Sequence, residues 1–188
     1  MDYSELLKKR RAIRHFKEEG LSVKLLREII GESCLAPSAG NRQPWQFVIV
    51  NSREMIKRLS DESKANFLAD LEANPELPIR QYESVLKLAD FNVFYNAPAL
   101  VLITGDPSVR TLGVDCALAA AYFMLSAAAR GLGTCWVDLG GNIRSTETLG
   151  ELGLTPSHRI VAPIIVGYPT MIPDPPPRKE ADILKIIE

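Results

Sequence analysis

Hydrophobic positions recur along the chain with two different periods, and the switches between them predict its elements. Helical spacing runs through Leu6, Leu7, Arg10, Ala12 and Ile13 behind Ser4 as the expected cap, and through Leu25, Leu26, Ile29 and Ile30 behind Ser22, with Pro37 as a stop. WQFVIV at 45–50 is short, aromatic and β-branched, so it predicts a strand, and Asn51-Ser52 then caps a helix through Met55, Ile56 and Leu59. Residues 60–92 keep a sparse helical pattern broken at Asn74-Pro75 and Pro78, which makes them a candidate lid. PALVLIT at 98–104 is apolar throughout, as in a strand buried on both faces. The stretch 111–130 carries alanine on nearly every side, which predicts a central or interfacial helix closed by Gly131 and Gly133. A strand at 134–137, a helix at 145–152 and a strand at 160–166 follow. From residue 168 to 188 the chain is a proline-rich arm with an apolar tip at Ile183, Leu184, Ile186 and Ile187. The alternation predicts one domain over 1–188, an α+β or α/β sandwich.

Composition removes several classes of function. A chain of 188 residues with 46% hydrophobic content suffices for one core, and 22 Lys+Arg against 23 Asp+Glu leave no global basic field for nucleic acid. The opening MDYSELLKKRR lacks the apolar region of an export signal. Cys116–Ala129, bounded by Asp115 and Arg130, falls short of the ~18 residues that a membrane span needs. Cys34, Cys116 and Cys135 form no CxxC pair, so neither a disulfide framework nor a structural metal site is expected. The expectation is a cytoplasmic protein without membrane or nucleic-acid partners.

No GxSxG, HExxH or GxxxxGK[ST] occurs, and only His15 and His158 could serve an imidazole-based site. What remains is suited to holding an anion and a heterocycle. Arg10, Arg11 and Arg14 offer guanidinium groups that can grip phosphate, and Arg178-Lys179 adds a second basic pair. The plain alternative is a solvated helix face. The loop Pro37-Ser38-Ala39-Gly40-Asn41-Arg42-Gln43 carries a hydroxyl and two amides that can read ring edges, or else forms an ordinary polar turn.

The run RRAIRHF at 10–16, the loop PSAGNRQPWQF at 37–47, the segment GLGTCWVDL at 131–139 and the arm GYP…PPPRK at 167–179 together resemble the FMN-dependent nitroreductase family. That resemblance implies an α+β fold with a central, mostly antiparallel sheet flanked by helices, built into an intertwined homodimer. It also implies one FMN per subunit at the interface, with NADH or NADPH as electron donor and a small electron-poor acceptor. By the same resemblance Arg10 and Arg11 grip the FMN phosphate with Arg178 and Lys179, and Arg14 sits at the pyrimidine edge of the ring. Ala12 lies between them, where relatives often carry serine. Pro37, Ser38, Ala39, Asn41 and Gln43 approach FMN partly from the partner chain. Trp136, Val137, Asp138, Leu139 and Gly140 line the ring, and Asn66 offers an amide to its pyrimidine edge. No side chain is needed as a nucleophile or metal ligand, because the flavin carries the chemistry. A specialised relative, such as a dehalogenase, a dehydrogenase or a flavin-consuming enzyme, and a non-catalytic flavin carrier are the alternatives.

Overall fold

A computed structural model describes residues 2–188. Four strands, β1 (Gln46–Val50), β2 (Ala99–Gly105), β3 (Gly133–Trp136) and β4 (Arg159–Gly167), form one sheet in the order β1-β2-β4-β3. All three pairings are antiparallel. The helices are α1 (Tyr3–Lys9), α2 (Val23–Ser33), α3 (Arg53–Ala73), α4 (Glu83–Leu86), α5 (Leu112–Ala129) and α6 (Thr146–Glu151). The architecture is therefore α+β, as the resemblance implies.

The β2 run is buried at every position because the sheet is covered on both sides. Ala99, Val101 and Ile103 face the layer of α2 and α5, and Leu100 and Leu102 face the opposite core, where Ile56 and Leu59 of α3 pack. This is the period-two alternation of a strand expressed between two apolar layers. Ser22, Ser52 and Ser145 cap α2, α3 and α6 with their hydroxyls, the first two as their positions before apolar periodic runs predict.

Two glycines that read alike serve different ends. Gly131 sits at φ +76, with its N–H on Ala128 O and the next N–H, from Leu132, on Ala127 O, which closes α5 with a left-handed glycine cap. Gly133 lies one step beyond that cap, and a Cβ there would stand 2.7 Å from the Ile13 side chain. Its smallness is what lets the N-terminal segment lie against β3.

That approach corrects the expected first helix. Its cap is Asp2, which accepts the Glu5 N–H, and α1 ends at Lys9 instead of continuing through Ile13. Residues 10–14 are extended because Ile13 donates its N–H to Thr134 O and Ala12 forms a parallel bridge with Thr134, at the free edge of β3. Burial of Ile13 holds the segment in place. Helix α5 also differs from expectation: at 18 residues it is long and apolar enough to cross a membrane by length and composition alone. It is a core element nonetheless, with Cys116, Ala119, Ala120, Phe123 and Ala127 fully buried against α2 and the sheet.

The stretch 60–92 divides in two. Up to Ala73 it continues α3, with Ser60, Ser63 and Lys64 buried. Beyond Asn74 it consists of a short turn at Pro78–Tyr82, α4 and further turns. The buried Lys64 ammonium donates to Leu88 O at 2.7 Å and Phe91 O at 2.8 Å, tying the end of this stretch to α3. The arm beyond Gly167 starts paired with residues 15–17, through Lys17 N–H to Tyr168 O and Thr170 N–H to His15 O. From Thr170 onward it is exposed and without regular structure.

Candidate functional site

Extended backbone places successive side chains on opposite faces, and this splits the basic run. Arg10, Ala12 and Arg14 border a groove of about 460 Å³ whose apolar wall is Leu7, Ala121, Met124, Leu125, Cys135 and Trp136. Arg11 does not reach it. Its guanidinium turns back to Arg10 O at 2.8 Å and lines a separate cleft with Lys8, Lys9, the α5 end and Pro173 of the arm. Arg10 borders both clefts and so shares the second with Arg11, which lines that one only.

A smaller cavity of about 230 Å³ continues from Arg14, Cys135 and Trp136 to Val137, Asp138 and Leu139, and is closed by Tyr82 and Tyr95. The turn Asp138–Gly141 that forms its floor is heavily anchored. Val137 donates its N–H to Pro163 O, and Ser63 donates its hydroxyl to Leu139 O. Gly140 has no room for a side chain, since a Cβ would meet the Phe94 ring at 2.3 Å.

Just past this turn, Asn66 donates its amide to Asn142 O at 2.8 Å, Arg144 forms a two-point ion pair with Asp70, and Glu62 accepts the N–H groups of Arg144 and Ser145. Burial pushes the Glu62 carboxyl up, but the Ser145 N–H, the Thr148 hydroxyl, the Arg144 N–H and the Arg58 charge together outweigh it and hold it below the usual range. Asp70 is likewise held below its ordinary value by the Arg144 guanidinium. Asn66 thus braces the turn from behind and borders neither cavity.

The loop at 37–43 is held at the other end of α5. Asp115, buried in its first turn, accepts the Ala39 N–H at 3.0 Å and the Thr111 hydroxyl. Ser38 Oγ accepts the Gln43 N–H, and the Gln43 amide donates to Asn41 Oδ1. Asn41 and Gln43 both have positive φ, of 54° and 47°, a conformation that costs of order 1–3 kcal/mol at a non-glycine residue and collects at functional sites. Pro37, Ala39, Asn41 and Gln43 are exposed. None of these loop residues lines the groove or the smaller cavity, and the nearest groove residue on α5, Ala121, is six residues of helix, about 9 Å, beyond Asp115. Arg178 and Lys179 are exposed on the arm and border neither cavity.

Sequence reasoning missed Tyr82 and Tyr95. Tyr95 has φ +52, uncommon for a bulky residue, and its ring lies 5.5 Å from the Arg14 guanidinium carbon. The only signal for it in the sequence is the pair Asn92 and Asn96 flanking an aromatic run, a turn signature with no chemistry attached. Cys135 borders both cavities, yet burial pushes its thiol up against the opposing pull of Arg14 and Arg10, so it is no thiolate. Among the described residues no His, Cys, Asp and Glu cluster could hold a metal ion.

Residues 7–168 match the sequence profile described as the Nitroreductase family. The chain belongs to that family. An Archaeoglobus fulgidus protein named "Putative NADH dehydrogenase/NAD(P)H nitroreductase" is 28% identical over 166 residues, covering 85% of this chain and 81% of its own. The iodotyrosine deiodinase of Thermotoga neapolitana is 28% identical over 179 residues, 93% of this chain and 90% of its own. In fold, a Bacteroides fragilis nitroreductase crystallised with bound FMN superposes with a TM-score of 0.84 over the whole of both chains at 22% identity. The nitroreductase fold of this family member is thereby established along with its membership.

Proposed function

We propose that this chain is a cytoplasmic, homodimeric FMN-dependent oxidoreductase. It takes hydride from NADH or NADPH and delivers electrons to a small electron-poor acceptor such as a nitroaromatic, quinone or enone, in ping-pong fashion. The observation that carries the reading is a groove with two guanidinium groups, Arg10 and Arg14, that are unpaired among the described residues along one side, and an apolar wall running to the Asp138–Gly141 turn. A phosphorylated planar heterocycle fits that donor set, with anion at the Arg10 end and ring against Trp136, Val137, Asp138, Leu139 and Gly140. When bound, FMN supplies the hydride and electron chemistry.

The chain's own residues bind and orient. Arg10 would neutralise the phosphate from the groove side, with Arg11 adding field from the far side and Arg178 and Lys179 supplying further positive charge from the arm. Arg14 would serve the pyrimidine edge, where its charge would favour negative charge on the ring, and Ala12 leaves the groove open between the two arginines. Asn66 acts through the turn it braces.

The homodimer is supported by the outer side of α5. Val114, Leu118 and Tyr122 are exposed there beside the half-buried Ala117, Ala121 and Leu125, an apolar stripe that the described residues leave open to solvent or only partly covered. Two copies of α5 crossing antiparallel about a two-fold axis would bring the Asp115 end of one beside the Leu125 end of the other. The loop Pro37, Ser38, Ala39, Asn41 and Gln43 would then reach the partner's groove. The donor is supported by the name of the Archaeoglobus relative. The deiodinase relative favours a second reading, reductive dehalogenation at the same site.

The purified protein is expected to be yellow, to release FMN on heating, and to be bleached anaerobically by NADH or NADPH before re-oxidation by a quinone or an iodinated phenol. A colourless protein that leaves the spectrum of added FMN unchanged would sink both readings.

A further inference from the structure

Arg14 is an exposed arginine at the junction of the two cavities, and among the described residues its guanidinium has neither an ion pair nor a hydrogen bond. A long, flexible side chain in that condition ordinarily samples many rotamers. The one partner that the structure gives it is the Tyr95 ring, with the guanidinium carbon 5.5 Å from the centroid.

That ring is held with unusual thoroughness. Asn92 accepts the Tyr95 N–H at its carbonyl and the Phe94 N–H at Oδ1, both at 2.8 Å, and its amide donates to Asn96 Oδ1. Phe94 is fully buried against Gly140, and Val93 donates its N–H to the buried Ser60 hydroxyl. Phe91 packs edge-on against the Tyr95 ring, with centroids 6.0 Å apart. Tyr95 and Asn96 both sit at φ +52, so a strained turn is maintained by surrounding bonds and burial.

We propose that Tyr95 is a positioning residue, which holds the Arg14 guanidinium at the mouth of the cavity by a cation–π contact while leaving its charge and its N–H donors free for the ligand. A carboxylate partner would orient Arg14 equally well but would neutralise it and occupy its donors, as Asp70 does to Arg144 and Glu32 to Arg130. An aromatic face orients the group without either loss. The role of the pair toward a flavin edge rests on the reading proposed above.

Two measurements test this. In the ligand-free protein, the Arg14 Nε–H resonance should carry a ring-current shift that disappears in Tyr95→Leu; an unchanged resonance would overturn the contact. In FMN titrations, Tyr95→Phe should keep Kd within about twofold of the parent. Phenylalanine analogues of increasing fluorination at position 95 keep the shape and drain the ring's negative face, and should raise Kd stepwise to roughly three- to tenfold. The same series in an Arg14→Gln background should be flat. A Kd indifferent to fluorination, or an equal loss without Arg14, would assign Tyr95 a purely structural role. Failure of the parent protein to bind FMN defeats the functional reading instead, and the Arg14 resonance still decides whether Tyr95 holds the side chain.

Discussion

Two sets of arginines in this protein differ in what they touch. Arg130 joins Glu32 and Ser126 across α5 and α2, and Arg144 joins Asp70 across α3 and the 142–145 loop. Each ties together elements far apart in sequence. Arg10 and Arg14, by contrast, have no carboxylate within ion-pair distance among the described residues and stand at the edge of an apolar groove. Arg130 and Arg144 therefore hold the fold, whereas Arg10 and Arg14 combine an unpaired charge with a groove edge, and the function proposed above assigns that combination to a ligand.

The harshest way to test the contrast is to remove the arm. Truncation after Gly167 deletes Arg178, Lys179 and the exposed apolar tip at Ile183, Leu184, Ile186 and Ile187, and spares every paired arginine. If arm and ligand are both needed by the assembled protein, sedimentation should show a shift toward monomer and the same preparation should lose its FMN. A truncated protein that stays dimeric and fully loaded would detach the arm from the site.

A point substitution gives the next largest effect. On the proposed reading Arg10→Ala would remove a charge-assisted phosphate contact of about 1.5–3 kcal/mol, so FMN Kd should rise roughly 10- to 150-fold while the melting temperature of the ligand-free chain barely moves. Arg11→Ala, on the opposite face of the segment, should cost several-fold less. Equal losses at the two positions would mean that the alternation of residues 10–14 does not divide their work.

Much of this was legible in the sequence, and the exceptions have physical causes. The four strands and the caps at Ser22 and Ser52 follow from local pattern because β-branched runs and N-cap hydroxyls act over a few residues, whereas the cap expected at Ser4 falls to Asp2, two residues earlier. The local pattern places the basic run on a helix because Leu6, Leu7, Ala12 and Ile13 continue a helical period. Its extended form depends on Thr134 and on the absence of a side chain at Gly133, both about 120 residues away, which no local window contains. Asp115 read as the boundary of an apolar stretch. In the fold it is a buried acid pinning the 37–43 loop, since its partner is the Ala39 N–H, 76 residues earlier. Tyr95 was missed because a left-handed turn at non-glycine residues leaves little trace in composition.

The paired group makes its own, smaller prediction. The Arg130 and Ser126 hydrogen bonds lower the Glu32 pKa to about 2 from an ordinary 4.5. A carboxyl depressed in the folded state contributes stability that is complete above the unfolded value and is lost as the pH falls from about 4.5 toward 2. Because the Glu32 side chain is 47% exposed, solvent screening limits this to about 1 kcal/mol. Urea unfolding at pH 7 and pH 3 should show Glu32→Gln losing less stability on acidification than the parent, by about that amount. An identical acid dependence would leave the ion pair without thermodynamic weight.

The smallest expected effect is on turnover, at the cysteines. Cys135 is the one thiol beside the groove, with its Sγ–H directed to Trp136 O at 3.4 Å, and Cys116 is buried with its thiol pushed up to about 11. Proximity to Arg10 and Arg14 would ordinarily make a thiolate, but burial prevails at Cys135, so at neutral pH the sulfur stays protonated and nearly unreactive. The guanidinium charge is thus not consumed by an internal anion, which is what the contrast with Arg130 and Arg144 requires. Cys34→Ser, Cys116→Ala and Cys135→Ser combined should lose a few kcal/mol of packing at most and keep the parent kcat per bound FMN. Iodoacetamide at pH 7 should leave the parent active. Inactivation by that reagent with full FMN retention would reveal a Cys135 thiolate paired with Arg14, and the arginine would then belong with the neutralised group.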